Sequence, residues 1–446
     1  MPTSRIVIIG AGTGGMCLAH GLRRAGFEVA VHERDRTRTG GLHGYRVGIS
    51  PNGARALKAC LDEDLFATFV ATTGRAYEHL TMYTERFAEL VGMRFDDLPR
   101  LGDAPEDRDH NVSRTTLRQV LFTGMEDVIT FDRVFTGYEQ HADGTVTAFF
   151  ADGSSDRGDL LVGADGASSR VRAQYLPGAT HAETGLVAIG GKLPYDSPQA
   201  AALPERVRSG MSMLFDRRGQ FGILHAMRMP WAPGGAPRKG IGSDDAALLA
   251  AWPGLRYDNT TDYVSWGLST SRRVTPADLL ERRGEDLHDA AAELTRDWDP
   301  RWRDLLAASD PSAAMGLSVR TSDPVPPWTP SSVTLIGDAI HTMTPGRGAG
   351  ANTALRDARE LRDRLVRVRD GELTREEAVG SYEELMRRYS TLAVRESLEF
   401  MHDDVDRKNR LGVLAQRSAM RAMNHVPAAK RRMARSMQKV RDSELV

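Results

Sequence analysis

Three glycines near the N-terminus have the spacing of a phosphate-binding loop. Gly10, Gly12 and Gly15 follow a run of β-branched residues and open a stretch with helical periodicity. In this context, backbone N–H groups and the helix dipole can hold a pyrophosphate. Glu33 closes the next predicted strand, where a carboxylate can accept hydrogen bonds from ribose hydroxyls. The pattern predicts dinucleotide binding, and the alternative is that Glu33 is only an exposed acid at a strand end.

Two later segments also end predicted strands in glycine and aspartate. Asp165 follows the strand at residues 160–163, and Asp338 follows the strand at residues 332–336. Asp338 therefore stands where a carboxylate can bind a polyol such as ribitol. A helix whose first N–H groups can face an anion then starts at Gly348, Gly350 and Asn352. Asp357, one turn or more further along that helix, is expected to matter much less for holding the ligand.

The elements around these residues predict the architecture. Strand, glycine turn, helix and strand within about 30 residues indicate a βαβ unit and hence a parallel sheet. The middle of the chain is strand-like with little helical pattern, which predicts an inserted, mainly antiparallel sheet. From residue 375 onward the chain is predicted to be largely helical. The segments predicted as middle strands are 186–193, 211–216, 221–229 and 263–270.

Composition excludes several classes of protein. The 446 residues carry a net charge of −1, which argues against a nucleic-acid binder. Cys17 and Cys60 are the only cysteines, so neither a disulfide framework nor a multi-cysteine metal site is expected, and no metal ligands are predicted. No apolar run approaches the length of a membrane span, and no signal peptide is evident. These features predict a soluble cytoplasmic protein.

The motifs together resemble those of the FAD-dependent aromatic hydroxylases, also called group A flavoprotein monooxygenases. Over roughly residues 5–400 the resemblance rests on GAGTGG with Glu33, on GADGASSRVR, and on GDAIHTMTPGRGAGANTALRDA. It implies a Rossmann-type FAD-binding domain, an inserted substrate sheet and a helical C-terminal tail. It further implies bound FAD, NAD(P)H as co-substrate, and oxygen transfer through a flavin C4a-hydroperoxide.

The resemblance also implies roles for individual residues. Arg114, within the segment VSRTTL, is the implied contact to the ribityl chain or a phosphate. Asp338 holds the ribityl chain, and the region around Pro345 lies along the isoalloxazine. Arg46 lines the flavin, and Ala351 offers it a main-chain contact. The implied domains are 1–176 for the first part of the FAD-binding domain, with an excursion near 75–110 toward the substrate domain, 177–275 for the substrate sheet, 276–370 for the second FAD part, and 371–446 for the helical region.

His225 is the one candidate catalytic side chain in the predicted substrate sheet. Strand alternation places it on one face with Phe221, Ile223, Met227 and Met229. From there it could orient or deprotonate a substrate hydroxyl. The alternative is a structural histidine, since the sequence shows no partner for it.

Methionines and aromatic residues dominate the predicted sheet, including Met211, Met213, Phe215 and Trp266. Such a surface suits a flat apolar molecule, so we expect a phenolic, polyketide-like or terpenoid substrate. Alternatively, these faces simply pack the core of the sheet. The glycine-rich loop at 229–243 is a candidate entrance flap.

Other readings of the whole chain stay open. One is a flavin-dependent reductase or oxidase that inserts no oxygen, and another is a non-catalytic, flavin-stabilised binding protein. Residues 407–446 contain 11 basic and two acidic residues. They form either an amphipathic helix packed on the body or a segment that binds a membrane or an acidic partner. The sequence leaves the substrate, NADH or NADPH, and the oligomeric state undecided.

Overall fold

The computed structural model describes residues 4–38, 40, 46–97, 101–230, 261–405 and 410–433. In chain order its strands are β1 Arg5–Ile9, β2 Glu28–His32, β3 Arg46–Ile49, β4 His79–Thr84, β5 Glu89–Arg94, β6 His110–Ser113, β7 Ile129–Thr130, β8 Phe135–Gln140, β9 Val146–Phe150, β10 Ser155–Gly158, β11 Leu160–Gly163, β12 His181–Pro194, β13 Gly210–Phe215, β14 Phe221–Met227, β15 Tyr263–Ser271, β16 Met315–Ser322 and β17 Val333–Leu335. Its helices are α1 Thr13–Arg24, α2 Pro51–Cys60, α3 Glu63–Ala71, α4 Arg114–Phe122, α5 Arg170–Tyr175, α6 Pro198–Ala201, α7 Glu205–Arg208, α8 Glu285–Leu294, α9 Pro300–Ala307, α10 Asp338–His341, α11 Gly350–Arg369, α12 Arg375–Val405 and α13 Arg410–Asn424. Single turns of 3-10 helix lie at Phe95–Asp97, Pro105–Asp107, Arg272–Val274, Pro311–Ala313 and Pro345–Arg347.

A five-stranded parallel sheet organises the first unit. Its order is β17-β11-β1-β2-β7, and each neighbouring pair is parallel. β1, with the sequence RIVII, is buried from Ile6 to Ile9, as expected of a strand covered on both faces. α1 packs against α11 beside this sheet. The predicted βαβ unit and parallel sheet are therefore confirmed.

A seven-stranded sheet organises the second unit, in the order β16-β12-β15-β14-β13-β4-β5. All its neighbouring pairs are antiparallel except β13 with β4. α8 and α9 cover one face, where Leu287 and Trp302 are completely buried against the strands. This confirms the predicted insertion of a mainly antiparallel sheet between two α/β portions.

The second sheet draws on three separated stretches of the chain. β4 and β5 come from within the expected excursion near 75–110, and β12 to β15 from within 177–275. The third stretch is β16, which pairs with β12, although the sequence assigned residues 276–370 to the FAD-binding domain. Since α8 and α9 also pack on this sheet, we propose that the second part of the FAD-binding domain begins after Ser322 instead.

Helices form the described C-terminal region, as predicted. α12 runs beside α11, α13 packs on β5, and residues 427–433 are helical. Met433 packs against the apolar cluster on the second sheet, which agrees with the interpretation of an amphipathic helix packed on the body. The remainder of the basic segment, residues 406–409 and 434–446, lies outside the described residues.

Candidate active site

A cleft of about 350 Å³ opens at the carboxyl ends of β1, β2 and β11. The glycine-rich loop forms one wall of it. A Cβ on Gly10, whose φ is +107°, would lie 2.3 Å from the carbonyl oxygen of Ala164, and a Cβ on Gly15 would lie 2.2 Å from the carbonyl oxygen of Gly10. Gly12 faces open space, with no atom within 4 Å of its missing Cβ. The loop therefore packs tightly against the protein at Gly10 and Gly15 and is open at Gly12, where a ligand can approach its backbone.

Glu33 lies in this cleft and is buried. Its carboxylate accepts hydrogen bonds from the backbone N–H of Ala11 at 2.7 Å and of Asp35 at 3.0 Å. One residue thereby fixes the glycine loop against the end of β2. Each carboxylate oxygen has a further lone pair, so these bonds leave acceptor capacity for a ribose hydroxyl. The predicted ribose contact stays a prediction.

Asp165 lines the same cleft and accepts hydrogen bonds at the start of α5, whose N-cap residue is Ser169. Its carboxylate accepts from the Ser169 hydroxyl at 2.5 Å and from the backbone N–H of Arg170 at 2.8 Å. The second strand-end motif is therefore a helix start held by its own aspartate. Its role toward a cofactor stays a prediction.

Arg114 and Asp338 supply opposite charges to the site. Arg114 begins α4 immediately after Ser113, whose side chain caps that helix, and it lines the cleft. Burial raises the pKa of Asp338, although the charges of His341 and Arg114 act to lower it. Burial also disfavours the charged form of Arg114 and so lowers its pKa, and the charge of Asp338 opposes that shift. The sequence predicted both residues as ribityl or phosphate contacts, and the structure places them close enough to influence each other.

The start of α11 joins the two sides of the predicted flavin site. Gly348 has a φ of +63°, and Gly350 and Ala351 form the first turn of the helix. The Asn352 side chain accepts from the Ser50 N–H at 2.8 Å and donates to the Gly48 carbonyl at 2.9 Å. Both ends of the Asn352 amide therefore hydrogen-bond to backbone at the end of β3. We expected Asn352 among the cofactor contacts, and its visible role is to position backbone.

The turn at Pro345–Arg347 connects the predicted flavin site to the C-terminal helix. A Cβ on Gly346 would lie 2.7 Å from Met401 Sδ and 2.8 Å from Phe400 Cδ1. Phe400 also meets Phe221 of β14 edge-on, with ring centroids 6.0 Å apart. The segment expected along the isoalloxazine therefore reaches the second sheet through α12.

A second link runs through Arg46, Tyr77 and His225. The Arg46 guanidinium lies 5.2 Å from the Tyr77 ring centre and donates to Asn111 Oδ1 at 2.7 Å. Tyr77 in turn stacks on His225 at 6.0 Å, with ring planes 17° apart. Burial, aided by the charge of Arg46, holds the pKa of His225 well below its ordinary value. The imidazole is therefore neutral at pH 7, and among the described residues its buried Nδ1 has no hydrogen-bond partner.

The strand register confirms which predicted apolar residues share a face. Met211 lies opposite His225, Met213 opposite Ile223, and Phe215 opposite Phe221. Side chains of Phe400, Met420 and Met433 pack against the buried apolar cluster that includes Met213 and Phe221. Trp266, which the sequence assigned to neither face, lies on the other face, 6.2 Å from Trp302, and donates to Ser309. The flap proposed at 229–243 lies mostly outside the described residues.

Asp357 forms a buried hydrogen-bond network that the sequence did not predict. It is fully buried, and its carboxylate accepts from the Gly337 N–H at 2.7 Å, from His341 Nε2 at 2.6 Å and from the Tyr389 hydroxyl at 2.5 Å. It therefore lies directly behind Asp338. No local pattern could have found it, because Tyr389 comes from a different helix.

The described residues lack features of some other sites. They include no group of three His, Cys, Asp or Glu side chains that could hold a metal ion. Among the same residues, no helix is both long and apolar enough to cross a membrane. The cytoplasmic location stays a prediction.

Comparison with known proteins agrees with this geometry. The family model described as "FAD binding domain" matches residues 3–190 and 263–397. The Phaeosphaeria nodorum protein named dual O-methyltransferase/FAD-dependent monooxygenase elcB is 31% identical over 384 residues, which are 80% of this chain and 39% of elcB. The chain thus spans less than half of that relative. The FAD-dependent urate hydroxylase of Klebsiella oxytoca is 27% identical over 82% of each protein.

A solved structure shows the same architecture. It comes from Photorhabdus luminescens and is provisionally named an FAD-containing monooxygenase. It superposes with a TM-score of 0.76 and 31% identity, covering 90% of this chain and 99% of that one.

Proposed function

The chain belongs to the FAD-binding monooxygenase family, and from that membership we propose that it uses NAD(P)H and O2 to hydroxylate or epoxidise an apolar small molecule. The observation that carries the proposal is the contact of Arg46, Tyr77 and His225. It joins the segment expected to line the flavin to a sheet face of methionine and aromatic side chains. The segment expected to line the flavin thus lies next to the apolar sheet face, which supports the proposal.

The residues present fit FAD. Gly12 offers bare backbone to a pyrophosphate, and Glu33 retains acceptor capacity for a ribose. Arg114 and Asp338 supply a cation and a carboxylate for the phosphate and ribityl region. When bound, the flavin supplies the redox chemistry that takes electrons from NAD(P)H and activates oxygen. We expect Gly348, Gly350 and Ala351 to present backbone at the start of α11, where the helix dipole favours negative charge.

His225 is proposed to orient the substrate. Its neutral imidazole can accept a hydrogen bond from a substrate hydroxyl, which fixes the hydroxyl and makes the ring that carries it more electron-rich. An electron-rich ring attacks an electrophilic oxygen more readily, so this contact favours a phenolic substrate. Polyketide-like and terpenoid molecules fit the same apolar face and stay within the proposal.

The relatives favour oxygen insertion over the reductase or oxidase alternative. The name of elcB includes FAD-dependent monooxygenase, and the Klebsiella oxytoca protein is named a hydroxylase. Because elcB is also named an O-methyltransferase and is much longer, its substrate does not carry over to this chain.

The test is a screen of phenolic, polyketide-like and terpenoid compounds for stimulated NAD(P)H oxidation by the FAD-loaded protein. A stimulating compound is then turned over under ¹⁸O₂, and the product is analysed by mass spectrometry. We expect one atom of ¹⁸O in the product. An unlabelled oxidised product would favour the oxidase or reductase alternative, and binding without NAD(P)H consumption would favour a binding protein.

A further inference from the structure

The helix that carries Asp338, α10, is too short for its own hydrogen bonds to fix its position. α10 has four residues, and its backbone bonds run from Ile340 and His341 back to the Gly337 carbonyl at 3.0 Å. Helices this short gain little from their own hydrogen bonds. Gly337 enters the helix with a φ of +62°, a conformation that also depends on its surroundings. The location of the Asp338 carboxylate is therefore set by tertiary contacts.

Those contacts converge on Asp357. This buried carboxylate receives hydrogen bonds from the Gly337 N–H, from His341 at the end of α10, and from Tyr389 of α12. A buried carboxylate is costly unless donors surround it, so the two ends of α10 are held firmly to α11. We propose that Asp357, with His341 and Tyr389, positions Asp338 for hydrogen bonding to the ribityl chain of FAD. This inference rests on the FAD site proposed above.

Charge reinforces the geometry. Burial alone would lower the pKa of His341, but the charge and hydrogen bond of Asp357, with Asp338 adding to them, raise it above its ordinary value. The resulting imidazolium also favours the ionised form of Asp338, the better acceptor for hydroxyl groups. Charged and titratable groups on the elements packed around His341 include Asp338, Asp357, Arg356, Tyr382, Glu383, Tyr389, Arg170, Arg172 and Arg320.

The first test measures the FAD dissociation constant of the protein carrying single substitutions. Asp357→Asn keeps the size of the side chain but removes its charge, and we expect FAD to bind at least about tenfold more weakly. Tyr389→Phe removes one donor and is expected to weaken binding severalfold. Glu383→Gln is the matched control, since Glu383 is buried in α12 and bonds Thr334 rather than Asp357.

The second test follows FAD affinity against pH. The His341 contribution is present below its raised pKa and is lost as pH rises through it. Wild-type affinity should therefore fall with rising pH, His341→Gln should lack that step, and Glu383→Gln should retain it. A purely structural role would lower affinity without changing this profile.

Asp338→Ala separates failure of this inference from failure of the FAD site. If Asp338→Ala loses FAD while Asp357→Asn and Tyr389→Phe bind it as wild type does, the positioning role is overturned. Identical pH profiles for the wild type and His341→Gln also overturn it. If Asp338→Ala itself binds FAD normally, the ribityl assignment is wrong. Should Asp357→Asn fail to fold, Tyr389→Phe and the pH profile decide the question.

Discussion

Several side chains of the cofactor motifs bond to the protein itself. Asn352 holds the backbone at Gly48 and Ser50, and Asp165 accepts hydrogen bonds at the start of α5. Glu33 ties the glycine loop to the end of β2. These residues position the backbone that would bind FAD. The sequence motif alone does not show which of their side chains can still accept a hydrogen bond from the cofactor.

Replacing Asp338 tests the ribityl contact directly. We expect Asp338→Ala to lose FAD, with affinity lower by about 1.5–3 kcal/mol because hydrogen bonds to a charged acceptor are removed. Flavin absorbance per protein after gel filtration gives the measurement. Asp370→Ala is the control, since this exposed acid at the end of α11 pairs only locally with Arg369. Equal FAD retention in both variants would contradict the assignment.

His225 gives a prediction about pH and coupling. Because burial and Arg46 keep the pKa of His225 well below 6.5, substrate-stimulated NAD(P)H oxidation should fall only in acid, as His225 gains a proton. We expect His225→Gln to remove this acid limb and to release more hydrogen peroxide per NAD(P)H with a phenolic substrate.

His288→Gln is the matched control for that experiment. Burial also lowers the pKa of His288, but its ring lies 5.6 Å from Trp266 on the other face of the sheet. Its pH profile should equal that of the wild type. If NAD(P)H oxidation by His225→Gln still falls at low pH as in the wild type, His225 has only a structural role.

The limit of sequence reasoning is clearest at Asp357. Its helix and its approximate position follow from the local pattern, but its three donors come from Gly337, His341 and Tyr389. Tyr389 reaches it only because α12 packs on α11. A buried charge network of this kind is a product of tertiary packing, so residue types and spacing could not predict it.

At the scale of elements, α13 covers part of the apolar sheet face. Arg417 anchors it, donating to the Phe215 carbonyl at 2.6 Å and pairing with Glu85 at 2.5 Å. Both side chains are nearly inaccessible, at 7% and 11% exposure. Met420 packs on the same cluster. The sequence predicted a C-terminal helix that packs on the body, but it did not predict that this helix covers the apolar sheet face.

Removing the anchor should loosen this cover. We expect Arg417→Ala to lower the free energy of unfolding by up to about 3 kcal/mol, because Glu85 stays buried without its main partner. Chemical denaturation measures this change, and binding of an apolar dye should rise as the sheet face opens. Arg421→Ala, exposed on the same helix, should change neither. An Arg417→Ala variant as stable as Arg421→Ala would contradict the anchoring role.

Strand prediction succeeded where a short run is rich in apolar residues and failed where such residues are sparse. β13, β14 and β15 were expected within a few residues of their observed bounds, because apolar and aromatic residues dominate these runs. β16, with the sequence MGLSVRTS, has too few such residues. Alternation also cannot tell which face meets a ligand, so the sequence could not show that Trp266 faces away from the methionine-rich surface.

At the scale of the molecule, α12 connects the two units. Near its start, Tyr382 donates to the Leu335 carbonyl at 3.0 Å and Glu383 accepts from Thr334 at 2.9 Å, both on β17. Near its end, Phe400 meets Phe221 on the second sheet. A single helix therefore spans from the parallel sheet to the apolar face.

The Glu383 contact predicts how global stability depends on pH. Burial raises the pKa of Glu383 to about 7. A raised carboxyl pKa favours the folded state at low pH, and that contribution is lost as pH rises from about 4.5 to about 7. We expect a loss of roughly 3 kcal/mol over this interval, measured as the free energy of unfolding. Glu383→Gln should flatten that part of the curve, and an unaltered curve would rule out this residue as the source.

The three-part origin of the seven-stranded sheet has a consequence for synthesis on the ribosome. β4 pairs in parallel with β13, and about 125 residues separate Thr84 from Gly210. At roughly 5–20 residues per second, β4 waits about 6–25 s for that neighbour. The sheet is completed only when β16 emerges. Meanwhile the apolar side chains of Leu80, Met82 and Met93 lack their cover, so nascent chains should depend on chaperones that hold exposed strands.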